Sequence, residues 1–198
     1  MTLTNLAVLD QYAAEPFPAT YPPGRRRFFV TVDQVQDAIL HVVSSVSVSQ
    51  TLSMYSLDSA PLVEQMVTNY HSIPGGMPTL ITQDSSCYRT SEGTRVAKPF
   101  VDLIGAPNFR WAVGTSDKGN ISHIKSFVGD GSFVISGSTN WSNMGMSEED
   151  NEMEVSIDAA LATQFTARVN GQYEWMMANC QQPSAEAPLT LLEKPADF

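Results

Sequence analysis

The stretch from Ser122 to Ser136 constrains the fold more than any other part of the chain. Ser122 to Val128 alternates polar and apolar residues, Asp130-Gly131 follows, and Phe133 to Ser136 resumes the β pattern. An Asp-Gly pair between two such runs is a strong hairpin signal, because both residues tolerate the positive φ that matches the twist of the flanking strands. The chain is thereby committed to an antiparallel pair. Period-two alternation puts His123, Lys125 and Phe127 on one face and Ile124, Ser126 and Val128 on the other. An imidazole and an ammonium then project side by side, ~7 Å apart.

Strand and helix signals alternate around this hairpin. Phe28 to Thr31 reads as a short strand, and Asp33 to Val43 carries Val35, Ala38, Ile39 and Val42 at helical spacing. Val46 to Tyr55 is a buried strand, and Ser59 caps a helix with Pro61 in its first turn that runs through Asn69. Thr79 to Thr82 is a strand, Thr94 to Ile104 a helix interrupted or restarted near Pro99 and closed by Gly105, and Phe109 to Val113 a strand. Downstream, Glu152 to Ile157 adds a strand. Ala159 to Ala178 is a helix with Leu161, Phe165, Val169, Tyr173 and Met176 on one face and a weak point at Gly171. This order predicts an α/β fold with a mixed, mostly parallel central sheet covered by helices on both faces. Residues 1–27, punctuated by Pro16, Pro18, Pro22, Pro23 and Gly24, are expected to form an extended lead-in. One domain spans 28–180, and a Pro-rich flexible tail covers 181–198.

Composition narrows the class. With 198 residues, 42% hydrophobic and 16% charged, the chain has apolar matter for one core and little room for a second. No window approaches the roughly 18 apolar residues of a membrane span, since Ala38 to Val48 is broken by His41 and several serines. Met1 to Tyr12 lacks a basic residue ahead of an apolar run, so no secretory signal is read and a cytoplasmic location is expected. Cys87 and Cys180 are too few for a disulfide scaffold, and His41, His71 and His123 lack metal-ligand spacing, so no metal or cofactor is expected. A net charge of −10 argues at first against a polyanionic partner. The imbalance is C-terminal, however: residues 1–129 hold ten acids and nine bases, whereas 130–198 hold eleven and two. A basic patch on the first two thirds, drawn from Arg25, Arg26, Arg27, Arg89, Arg95, Lys98, Arg110, Lys118 and Lys125, stays compatible with that balance.

The hairpin also carries a spaced motif. His123-Ile-Lys125 is followed after four residues by Asp130, and after six more by Gly137-Ser138-Thr139-Asn140. The pattern His-x-Lys, four residues, Asp, six residues, Gly-Ser-x-Asn resembles the signature of the phospholipase D superfamily, and it is far more specific than a lone three-glycine motif. Trp141-Ser142, Asn151-Glu152 and the earlier run Met54-Tyr55-Ser56-Leu57-Asp58 resemble the family too, so the likeness covers roughly residues 28 to 178. It implies an α/β/α sandwich and a metal-independent phosphodiesterase that works through a phosphohistidine. The chain holds one copy of the motif, and short single-motif members of the superfamily pair two chains, so the resemblance implies a homodimer with one site shared by two subunits.

The residue types suit that chemistry. A phosphodiester repels nucleophiles unless fixed donors neutralise its charge. Lys125, Ser138 and Asn140 can grip its non-bridging oxygens while neutral His123 attacks phosphorus. Glu152 is the candidate to accept the hydrogen bond from the other ring nitrogen. Asp130 is either a site residue or the turn residue that an Asp-Gly hairpin selects. The Arg25–Arg27 run and Cys87-Tyr88-Arg89 either line a substrate groove, with Arg89 touching substrate, or are solvated surface. Trp141 reads as packing. The leading expectation is an endonuclease acting on DNA or RNA, since no basic amphipathic or apolar segment offers a membrane-docking face. A phospholipase D or phosphatidyl transferase acting on lipid diesters is the alternative, and a catalytically silent nucleic-acid-binding module a second.

Overall fold

The computed structural model describes residues 3–89, 91–117 and 121–184. Its strands are β1 (Arg25–Phe29), β2 (Gln50–Met54), β3 (Thr79–Asp84), β4 (Phe109–Gly114), β5 (Lys125–Gly129), β6 (Phe133–Gly137) and β7 (Glu152–Ile157). They lie side by side in the order β1-β7-β6-β5-β2-β3-β4. Helices α1 (Val35–Ser44), α2 (Ala60–His71) and α3 (Ser91–Val101) pack in series over one face, and α4 (Ala159–Asn179) crosses the other from β4 at the sheet edge to β6. The mixed sheet with helices on both faces is as the sequence predicts. Its parallel share is smaller than predicted: β2 pairs parallel with β3 and β3 with β4, while the other four pairings are antiparallel. A parallel neighbour needs a long crossover, and only α2 and α3 supply one between adjacent strands.

Alternation along each strand divides the interior. Leu52, Ile81, Phe127, Phe133, Ile135, Met153, Val155 and Phe28 meet Val35, Ile39, Val42, Leu62, Met66, Val96 and Phe100 in the main core. The α4 side is thinner, with Val128, Val134 and Ala162 at its centre and Leu161 and Phe165 partly buried beside them. Next to it lies a polar layer: Gln172 Oε1 accepts from Ser53 Oγ at 2.8 Å and Thr82 Oγ1 at 2.9 Å. The α4 stripe therefore shifts from the expected one, with Ala162, Val169 and Met176 fully buried and Leu161, Phe165 and Tyr173 half-buried.

The lead-in departs from the extended expectation. Leu6–Tyr12 is a 3-10 helix started by Asn5, whose side chain accepts from Ala7 N–H at 2.9 Å, and it buries Leu6 and Leu9. Strand β1 takes in Arg25 to Arg27, which the sequence pattern assigns to the lead-in. It is an edge strand blunted by charge. Arg26 Nε pairs with Asp10 at 2.5 Å beneath the Phe17 ring, and Arg27 pairs with Glu154 at 3.1 Å. At the hairpin, Asp130 and Gly131 adopt φ of 54° and 61°, and Ser132 N–H donates to Gly129 O at 3.1 Å. The Asp-Gly turn forms as its chemistry requires.

Candidate active site

Four segments converge where β2 and β3 end, the edge at which open α/β sheets bind ligands. β2 leads into Tyr55, β3 ends on Asp84, β5 begins at Lys125 opposite Met54, and β6 ends on Gly137. The strand expected from Ser122 starts only at Lys125, so exposed His123 stands just outside the ladder. Its ring lies against Tyr55 with centroids 4.7 Å apart, and Lys125 Nζ sits 4.9 Å from the centre of the same Tyr55 ring. One aromatic side chain thus gathers the imidazole and the ammonium.

Residue 123 has no ladder hydrogen bonds, and its neighbour is clamped instead. The Ser122 N–H donates to the Asp84 carboxylate, and Ser122 Oγ accepts from Gln172 Nε2 of α4. Asp84 is buried and also accepts from Ser86 N–H at 2.8 Å. The sheet and α4 together therefore fix the backbone that presents His123.

The electrostatics follow from burial. Lys125 is 7% exposed and donates only a long 3.4 Å bond to His123 O. Desolvation pulls its pKa down to about 8, although Glu149 and Asp84 favour its charge. Its donors are mostly unspent and ready for an anion. His123 titrates below its ordinary value because of partial burial and the Lys125 charge, with Asp84 opposing, so the neutral, nucleophilic form is favoured at neutral pH.

The Gly-Ser-Thr-Asn segment closes against β7. A Cβ on Gly137 would fall 2.3 Å from Glu152 O, so glycine is required for this approach. Ser138 N–H and Thr139 Oγ1 donate to Glu152 O at 3.0 and 2.8 Å, and Ser138 Oγ accepts from Glu152 N–H at 3.0 Å. The Asn140 side-chain oxygen is buried without a partner, a cost that polar groups bear at few places outside functional sites.

Two expected site residues are placed elsewhere. Glu152 serves this loop through its backbone, and its carboxylate pairs with Arg27 at 3.4 Å rather than with the His123 ring. Asp84 instead opposes, through its charge, the lowering of the His123 pKa. Asp130 lies at the far end of β5 from Lys125, roughly 16 Å away at ~3.3 Å per residue. Its carboxylate accepts from the N–H groups of Ser47, Val48 and Ser49 at 3.0, 2.7 and 3.2 Å, which makes it a loop anchor. The arginines at 25–27 pair with Asp10, Glu152 and Glu154 along β1, away from the site. The Arg89 side chain and Lys118 lie outside the described residues. Trp141 is buried against Phe127, centroids 5.5 Å apart, as packing predicts. Among the described residues no three His, Cys, Asp or Glu side chains gather as a metal site.

Tyr55, Asp84 and Arg168 escaped the sequence reading as site residues. Tyr55 and Asp84 each occupy the carboxyl end of a buried strand, which is the available signal. Arg168, one of only two bases after residue 129, is the other. A depression of about 490 Å3 brings Arg168, Gln164 and Phe165 of α4 together with His123, Ile124, Lys125, Ser136 and Gly137.

No protein-family profile and no curated protein matches the chain by sequence. Solved structures do share its fold. Nuc from Salmonella typhimurium, a phospholipase D family member, superposes with a TM-score of 0.62 at 14% identity, over 76% of this chain and 95% of its own. NucT from Helicobacter pylori gives 0.61 at 16%, over 80% and 98%. The phosphatidylserine synthase of Haemophilus influenzae gives 0.59 at 12%, over 82% of this chain but 41% of its own. The chain shares its fold with these three structures.

Proposed function

We propose that the protein is a metal-independent endonuclease of the single-motif phospholipase D type, with one active site formed by two copies of the chain. The observation that carries this reading is the pairing of exposed His123 with buried, underused Lys125 on the Tyr55 ring. Neutral His123 attacks phosphorus, and the bond to the leaving oxygen breaks. A protonated imidazole on the opposite side donates its proton to that oxygen. Water then attacks the phosphohistidine, its proton passes to the now neutral imidazole, and His123 is released. Lys125 holds the non-bridging oxygens throughout. The second imidazole is not at hand within one chain: His41 bonds Tyr12 Oη at 3.0 Å, and His71 ends α2. A second copy's His123 supplies it. The chain matches Nuc and NucT over nearly their whole length but spans under half of the phosphatidylserine synthase, so its size is not that of the lipid enzyme.

The test is cleavage of end-labelled single- and double-stranded oligonucleotides in excess EDTA, with His123→Ala as control. Cleavage by the wild type and a loss of at least about 1,000-fold in the variant are expected. Cleavage of neither oligonucleotide, with release of headgroups from phosphatidylcholine or cardiolipin, would assign the site to lipid diesters instead.

A further inference from the structure

Most basic side chains of this acidic protein are committed elsewhere. Arg25, Arg26, Arg27, Arg95 and Lys98 are ion-paired, and Arg110 bonds Asn170 at 3.0 Å and lies over the Tyr173 ring. Among the described side chains, Arg168 and Lys125 are the two bases without an acidic or aromatic-and-amide commitment of that kind, apart from the Tyr55 ring beneath Lys125. Both line the same depression. β5 contributes Lys125 to its lining and α4 contributes Arg168, with Gln164 one helical turn away on the same face as Arg168. Phe165 and Ile124 supply the apolar part of the lining.

From this we infer that the depression is a flanking-nucleotide subsite, in which Arg168 binds the phosphate next to the scissile one and the Phe165 side offers an apolar face to the intervening base. The inference rests on the nuclease reading and narrows its substrate to a polynucleotide with at least one phosphate beyond the bond that is cut. A guanidinium forks onto phosphate oxygens, and an aromatic face takes any base, so the subsite is tolerant of sequence. Its volume of about 490 Å3 falls within the ~300–1,000 Å3 of small-ligand clefts. Arg168 is exposed on a helix, so its replacement leaves the core untouched.

The experiment measures binding of a fluorescein-labelled 12-nucleotide single strand by anisotropy, comparing His123→Ala with His123→Ala/Arg168→Ala and His123→Ala/Arg168→Lys from 50 to 200 mM salt. Loss of Arg168 should weaken binding about 5- to 10-fold at the lowest salt and reduce the log–log salt slope by about one, with the lysine form in between. Equal affinities and slopes overturn the subsite, as does an absence of oligonucleotide binding by any form. Arg168-dependent binding to phosphatidylglycerol vesicles in place of oligonucleotide overturns it in favour of a lipid. Should the wild type fail to cleave while the Arg168 effect persists, the hydrolytic reading fails and the subsite stands; cleavage without an Arg168 effect gives the reverse.

Discussion

At Lys125 burial and charge oppose each other, and the conflict is measurable. The ammonium loses its proton more readily in the fold than in the open chain, so the fold is penalised for keeping it charged below about pH 8, and the penalty fades as pH rises toward 10.5. Lys125→Met should therefore raise the unfolding free energy at pH 7 by about 1–2 kcal/mol while abolishing turnover, as urea titration and cleavage assays would read; a loss of stability would contradict the penalty. The same titration governs ligand affinity. Oligonucleotide binding by His123→Ala should fall as pH passes through about 8, and adding Lys125→Arg should remove that fall because guanidinium stays charged. Asp84 acts one step back, through the Ser122 backbone and through the charge on Lys125. Asp84→Asn keeps one of the two acceptor oxygens, which serve Ser122 and Ser86 separately, and loses the charge. It should cut kcat by about 10- to 100-fold with little change in KM, and shift the alkaline fall in binding to lower pH. An unchanged pH profile would leave Asp84 a purely structural residue.

Between residues, the β5–β6 hairpin shows how far local chemistry reaches. Its strands and its Asp-Gly turn follow from period-two alternation and from the positive φ that only a few residue types accept, whereas His123 stands outside the ladder and meets Lys125 at the Tyr55 ring. The role of Asp130 does not, because its partners at 47–49 are more than 80 residues away. Both readings of that aspartate were compatible with the sequence, and the anchor contacts decide for structure. Asp130→Ala removes an acceptor for three backbone N–H groups and should cost about 2–4 kcal/mol in urea unfolding. Asp130→Asn, which tolerates the same φ and still accepts, should recover much of that loss, and both variants should retain activity per folded molecule. A large loss of turnover in well-folded Asp130→Asn would return the residue to the site. Strand β7 tells the same lesson from the other side. Its limits, Glu152–Ile157, are legible in the sequence, yet the direction of the Glu152 carboxylate depends on antiparallel pairing with β1, which brings Arg27 alongside from 125 residues earlier. Local periodicity carries no record of such pairing. The parallel share of the sheet was overestimated for the same reason: strand–helix alternation does not say which strands become neighbours.

Across the whole molecule, charge is distributed so that an acidic chain still offers a phosphate a place to bind. The acids at 152 and 154 are spent on the β1 arginines, Asp10 on Arg26, and among the described side chains the remaining bases, Lys125 and Arg168, line the depression beside His123. That end carries one imidazole, that of His123, the other two histidines lying on α1 and at the end of α2, while Ile121 and Met144, both in the segments bordering the motif, expose 47% and 59% of their surface. A two-fold axis through the site would complete it, since an isologous interface presents the same patch twice. Subunit mixing tests this directly. When wild type and His123→Ala exchange to equilibrium at equal amounts, random pairing leaves about half of the wild-type chains in homodimers, so cleavage per wild-type chain should fall by about half, and by about three quarters at a threefold excess of variant. A site complete within one chain would keep full activity per wild-type chain at every ratio, and sedimentation of a fully active species at the mass of one chain would contradict the shared site in the same way.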